Sequence, residues 1–198
     1  VIIGGGVVGC AIFRRLAMGG ARPVLLEAGR DILSGASKGN SALLHTGFDA
    51  PHNSLELSCM QSGYREYLAI REKLNLPLVR SGAIVVAWNE EELAKLDDIV
   101  AKAHENKVED VQRIDRDQLR RQEPLLSPKA LGGVYVSGEH IIDPWSAPLA
   151  YVQQGLAHGG IVLRNCRVSG GHFDGIWHLE TSQGMVTADC VINAAGNY

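Results

Sequence analysis

The sequence predicts an α/β fold: a β-α-β unit opens the chain, a mixed α+β segment interrupts it, and an antiparallel meander follows. Three observations lead there. A glycine-rich turn, Gly4-Gly5-Gly6-Val7-Val8-Gly9, stands between a short apolar run and a helical pattern. From 78 to 142 the regular alternation of strand and helix gives way to a mixed pattern. Near the end, Asp174-Gly175 and Gln183-Gly184 divide alternating segments as hairpin turns do.

Each element follows from its residues. Val1-Ile2-Ile3 reads as a buried strand, and the helix after the glycines runs through Cys10, Ala11, Leu16 and Ala17 to Gly19-Gly20. Pro23 to Glu27 is a second buried strand. Ser54 is placed to cap a long helix with an apolar face of Leu57, Met60, Tyr64 and Leu68, and Pro77 closes that segment. "RSGAIVVAW", Arg80 to Trp88, reads as a strand. Asn89 with Glu92 has the form of a capping box before Leu93, Leu96, Val100 and Ala103, and Asp115 with Gln118 opens another helix. Gly132 to Val136 is a strand. Asp143 as N-cap and Pro144 in the first turn start a helix with Leu149, Val152 and Leu156 on its apolar face, stopped by Gly159-Gly160. Ile161 to Leu163 is a strand, the meander follows, and Cys190 to Gly196 is a buried strand ending in small residues. The expected domains are therefore 1–77 and 143–198, which make one nucleotide-binding domain, and 78–142, which is part of an inserted substrate (cap) domain.

Composition excludes several functions. The 198 residues are 45% hydrophobic and carry a net charge of −3 without a basic block, so nucleic acid is not an expected partner. Cys10, Cys59, Cys166 and Cys190 lack C-x-x-C spacing, which argues against a zinc site or a disulfide framework, and no metal is expected. Reduced thiols fit a cytoplasmic protein. No run approaches the ~20 apolar residues of a spanning helix, so membrane association would be peripheral, on the inner face. Both ends read as interior to a fold, and the chain is expected to be the N-terminal portion of a longer protein that also carries the rest of the substrate domain and a C-terminal segment.

The glycine spacing carries the first functional expectation. In Gly4-x-Gly6-x-x-Gly9 the glycines allow the tight turn, the approach of backbone to a pyrophosphate, and close packing of helix on strand. Val8 lies within this turn, at the helix start that faces the phosphates. Glu27, at the end of the second strand, is positioned to accept both hydroxyls of a ribose. Taken alone, these features also suit an NAD-binding dehydrogenase. The meander and the loop "GNSALLHTG" count against that and favour the FAD-binding Rossmann-like arrangement of glutathione-reductase type.

Four stretches, "VIIGGGVVG", "GNSALLHTG" from Gly39, "GEHIIDPW" from Gly138 and "VINAAG" from Val191, span nearly the whole chain. In them the sequence resembles the FAD-dependent oxidoreductases of the D-amino-acid-oxidase type. Within that group it is most similar to the A subunit of anaerobic glycerol-3-phosphate dehydrogenase and to the L-2-hydroxyglutarate dehydrogenases. The resemblance implies that the loop after the second strand runs along the FAD diphosphate, where Ser37, Asn40 and Ser41 hydrogen-bond the cofactor. It puts Leu43 and Leu44, with the residues up to Gly47, beside the isoalloxazine. Val168 takes the place where such folds present main chain to the adenine, and Ala195 and Gly196 take the place where the last strand approaches the diphosphate.

His45 is the candidate catalytic residue. Oxidation of a secondary alcohol through a flavin needs a hydride to reach N5 and a base for the hydroxyl proton, a task suited to histidine. Orienting the flavin, tethering it covalently, or plain hydrogen bonding are the other readings of His45. The resemblance implies an FAD-dependent dehydrogenase or oxidase acting on glycerol phosphate, with a quinone or a partner subunit as electron acceptor. L-2-hydroxyglutarate and amino acids are the alternative substrates, and a noncatalytic flavin-binding subunit is the alternative of another class. No phosphate-binding arginine can be named, since Arg80 reads as a surface group. Asp143 is explained by capping alone.

Overall fold

A computed structural model describes residues 1–197. The chain divides into two compact units, one of residues Val1–Ser41 and the stretch from Asp143 onward, the other of Ala42–Ile142. In the first unit β1 (Ile2–Ile3) leads into α1 (Val7–Met18) and β2 (Val24–Leu26), the expected β-α-β. β1 and β2 pair in parallel. Phe13, Cys10, Ile2 and Leu25 are fully buried at the interface of α1 with these strands.

The second unit begins at Ala42, earlier than the boundary expected at 78. The reason is strand pairing. β3 (Leu43–Leu44) is followed by α2 (Leu55–Ile70), β4 (Leu78–Val79) and β5 (Ala83–Ala87). Next come α3 (Glu90–Ala94), α4 (Leu96–Glu105), β6 (Val111–Asp115) and α5 (Arg116–Gln122). β7 (Gly132–Val136) and β8 (His140–Ile142) complete it. β8 stands between β3 and β4, antiparallel to both, and this ties residues 42–77 to the same unit as 78–142. β7 stands between β5 and β6 in a second antiparallel sheet. Ala87, Val134, Val136, Leu96 and Ala103 form its core under α4.

Most caps are as the sequence implies. Ser54 accepts from the Leu57 N–H, and Asp115 and Gln118 form a reciprocal capping box. At Asn89 the box is altered: its side chain accepts from Glu92 N–H, but the Glu92 carboxylate returns to the N–H of Trp88 and the Asn89 amide. Lys95 then separates α3 from α4, where the apolar spacing suggested one helix. On α2 the buried positions are Leu57 and Tyr67, while Leu68 is exposed. Tyr67 takes over that face because its hydroxyl donates to the Pro77 carbonyl.

The chain returns to the first unit through α6 (Ser146–Ala157), β9 (Ile161–Leu163), β10 (Val168–Phe173), β11 (Trp177–Thr181), β12 (Gly184–Ala188) and β13 (Ile192–Asn193). The parallel sheet has the order β13-β1-β2-β9, and β10-β11-β12 is the expected meander. Asp143 lies two positions before the N-cap, which is Trp145; it instead accepts from the Trp145 N–H and the Ser146 hydroxyl. Small residues, not the predicted leucines, cover the buried face of α6. Ala147, Ala150, Val152 and Gly155 are buried while Leu149 and Leu156 are exposed, because Phe13 of α1 presses against Gly155 and leaves no room for larger side chains.

Candidate functional site

In the first unit the glycine turn is shaped by contact. Gly4 has a φ of +105°, and a Cβ there would stand 2.4 Å from the Ala194 carbonyl oxygen and 2.7 Å from the Ala195 Cα. A Cβ on Gly9 would stand 1.9 Å from the Gly4 carbonyl oxygen, so only glycine lets α1 pack this closely on the turn. Gly6 caps α1 without a side-chain bond, and the first turn holds no acidic residue. Val8 is exposed there. A helix start with a positive dipole end and no acidic residue in its own first turn fits an anionic diphosphate.

The loop after β2 reaches this helix start. Ser37 Oγ accepts from the Val7 N–H at 3.0 Å, and the Asn40 amide donates to the Ser37 carbonyl at 3.2 Å. Ser41 is exposed. Glu27 is fixed to the turn itself: Oε2 accepts from Gly5 N–H at 2.7 Å and Oε1 from Gly29 N–H at 2.6 Å. A carboxylate holds about four lone-pair sites, so two backbone bonds leave acceptors for ribose hydroxyls. Burial, with the Glu27 charge nearby, pushes the Cys10 thiol up to about 12, so this cysteine is a packing residue and not a nucleophile. Ala195 donates its N–H to Asn193 Oδ1, and Gly196 has a φ of +83°. Contacts thus join Gly4, Gly6, Gly9, Glu27, Ser37, Asn40 and Ala195. Val168 belongs to the cluster of Leu26, Cys166 and Leu179 instead.

Leu43, Leu44 and His45 lie in the second unit, where the antiparallel register explains their surroundings. Leu43 pairs with Ile141 and Leu44 with His140, so the next step sets His45 opposite Glu139. With side chains alternating, His45 and Glu139 share the face of Leu43 and Ile141. Leu43 and Ile141 also wall a cavity of about 560 Å³ with Ile84 and Tyr135, and neither His45 nor Glu139 lines it. Leu44 turns the other way and is buried.

Glu139 is the residue the sequence did not disclose. It is 1% exposed, yet both oxygens are engaged. Oε1 accepts from the Thr46 N–H at 2.6 Å and from the Thr46 hydroxyl at 2.8 Å, and Oε2 stands 3.0 Å from His45 Nδ1. The His45 side chain is 39% exposed, and its Nε2 meets no hydrogen-bond partner among the described residues. The chain beyond is clamped by buried Asn106, whose amide donates to the carbonyls of Gly47 and Ala50 and whose Oδ1 meets His52 Nδ1. Thr46, Asn106 and Glu139 are the buried polar or charged residues among those described, and all three serve this one segment. The signal available in the sequence was the position of Glu139 directly before the β8 run "HII".

Two other features stay outside the site. Arg80 is exposed, as expected. On the meander His172, Asp174 and His178 converge, but the rings of His172 and His178 are a stacked cross-strand pair and Asp174 bonds His178 Nε2 at 3.1 Å, which accounts for the cluster without an ion.

Comparisons with known proteins place the chain in a family and a fold. Glycerol 3-phosphate dehydrogenase of Caloramator mitchellensis is 27% identical over 198 residues, which is all of this chain and 41% of that protein. L-2-hydroxyglutarate dehydrogenase of Indibacter alkaliphilus is 26% identical, over all of this chain and 50% of its own length. The chain spans about half the length of the curated relatives it matches. Among solved structures, glycine oxidase of Bacillus cereus superposes with a TM-score of 0.87 at 25% identity, covering 100% of this chain and 55% of that one. The FAD-bound L-alpha-glycerophosphate oxidase of Mycoplasma pneumoniae gives 0.86 at 24% identity, covering 98% and 53%, and shares the fold. The model of the DAO family, FAD dependent oxidoreductase, matches residues 1–198. A match along the whole chain decides membership: the protein belongs to the DAO family of FAD-dependent oxidoreductases, and FAD is the cofactor that its opening turn fits.

Proposed function

We propose that the protein oxidises the secondary alcohol of a small anionic substrate, glycerol 3-phosphate in the first place, with His45 as the base. FAD, when bound, supplies a two-electron acceptor for the hydride. The chain's own residues do the rest. The α1 start and Gly4-Gly6 hold the diphosphate, Glu27 accepts from the ribose, and Ser37, Asn40 and Ser41 bond the cofactor along the loop. Val168, Ala195 and Gly196 give main-chain contacts, and Leu43, with the main chain of Leu44, lies beside the ring and excludes water from it. His45 Nε2 takes the hydroxyl proton as the C–H bond breaks, leaving a ketone. A quinone or a partner subunit as electron acceptor, and a cytoplasmic or inner-face location, belong to the same proposal. No helix among the described residues is long and apolar enough to cross a membrane.

The observation that carries this reading is the His45–Glu139 pair, in which a buried carboxylate holds Nδ1 while the half-exposed ring keeps an Nε2 with no hydrogen-bond partner among the described residues. L-2-hydroxyglutarate is the second reading, favoured by a relative of nearly equal identity. Steady-state assays of the complete FAD-loaded protein with a dye acceptor separate the two. The proposal expects kcat/KM for glycerol 3-phosphate to exceed that for L-2-hydroxyglutarate and for glycine by at least about tenfold, a margin worth about 1.4 kcal/mol. The reverse order between the hydroxy compounds moves the assignment to the second reading.

A further inference from the structure

We infer that Glu139 is the positioning residue for His45: it fixes the imidazole as the Nδ1–H tautomer and so makes Nε2 the atom that accepts a proton. This rests on the reading of His45 as the base. The inference comes from hydrogen-bond accounting. An ionised carboxylate only accepts, so the 3.0 Å contact from Oε2 to Nδ1 requires the hydrogen on Nδ1. A neutral imidazole has one N–H, and placing it on Nδ1 leaves the Nε2 lone pair open.

The pair is held too firmly for an incidental surface contact. Glu139 is fully buried, and Thr46 saturates its far oxygen with two donors, so the carboxylate cannot turn away. Burying a charged group is strongly unfavourable unless its partners are in place. Here the partners are His45 itself and the residue after it, Thr46, the two residues that directly follow β3. The register of β3 on β8 supplies the rest, since it puts residue 45 opposite residue 139.

Thr46 also dictates what an amide would do at this position. In Glu139→Gln the Thr46 N–H can only donate, so the amide oxygen must take the Oε1 place. The NH₂ group then faces His45 Nδ1 and donates to it. The imidazole hydrogen is driven to Nε2, and the base is lost without any change in shape. Glu139→Asp is shorter and packs worse, yet it keeps an acceptor facing Nδ1. A packing role and a tautomer role therefore predict opposite orders for the two variants.

The test is a double-mutant cycle in the complete FAD-loaded protein, with kcat and KM measured for glycerol 3-phosphate and flavin content measured alongside. Glu139→Gln is expected to keep flavin, change KM less than about threefold and lower kcat about a hundredfold, the lower end of a general base's contribution. Glu139→Asp should retain at least about ten times the kcat of Glu139→Gln. In a His45→Gln background, Glu139→Gln should add less than about a threefold loss, because the two residues act as one unit. Equal losses in both backgrounds, or Glu139→Gln outperforming Glu139→Asp, overturn the inference while leaving His45 as the base. A His45→Gln variant with unchanged turnover overturns the role of His45 itself, and the role of Glu139 with it. If Glu139→Gln alone fails to hold flavin while Glu139→Asp holds it with parental kcat, the carboxylate is structural and the inference is overturned.

Discussion

Single residues decide how the His45 segment is held. Asn106 satisfies the carbonyls of Gly47 and Ala50 from a position only 2% exposed. Asn106→Leu keeps the branching of the side chain and strands those acceptors, so it should destabilise the protein by about 1–3 kcal/mol. Chemical denaturation followed by circular dichroism measures this, and a loss below about 0.5 kcal/mol would mean that water replaces the amide. Glu139 and Asn106 were both hidden in the sequence for one physical reason. Polar residues in "HENKVED" and "SGEHII" read as surface, and only the antiparallel register and the close of α4 bring them inside. The glycine turn was legible because the steric demand at Gly9 is local, coming from a carbonyl five residues away, whereas the contact that crowds Gly4 comes from Ala194 and Ala195 at the far end of the sequence.

Local signals also explain which elements could be read. The β-α-β opening, the meander and the caps at Ser54 and Asp115 depend on residues within a few positions of one another, and they form as expected. The buried faces of α2 and α6 were misjudged at Leu68, Leu149 and Leu156, because the partner surface sets which side chains fit. Asp143 illustrates an element whose start is electrostatic. The Ser146 hydroxyl first, and then the Trp145 N–H, hold its carboxyl below the usual value of 3.8. A lowered folded value means that the contribution is fully present above the unfolded value and fades as pH falls through the folded one. Asp143→Asn should therefore lower Tm at pH 6–7, with the gap to the parent closing below about pH 3.8. A gap that stays constant or widens on acidification would contradict this electrostatic origin of the Asp143 contacts.

At the scale of the whole molecule, two units contribute different chemistry. The first gathers glycines, Glu27 and the Ser37–Asn40 loop at one helix start, while the second holds His45 in a buried polar clamp. The boundary at Ala42 falls inside the matched stretch "GNSALLHTG", so one short run of sequence serves both. Its first part follows the cofactor strand and its second part enters β3. Composition could not locate that boundary, because it is set by the pairing of two-residue β3 with β8 and not by any linker-like stretch.

The central claim is that this cofactor takes electrons from a secondary alcohol. Anaerobic titration of the complete FAD-loaded protein with glycerol 3-phosphate, followed through the oxidised-flavin absorbance band, tests it most directly. The account predicts bleaching that saturates with one substrate per flavin and slows when His45 is replaced by Gln. A band that stays oxidised with glycerol 3-phosphate and L-2-hydroxyglutarate alike would contradict it.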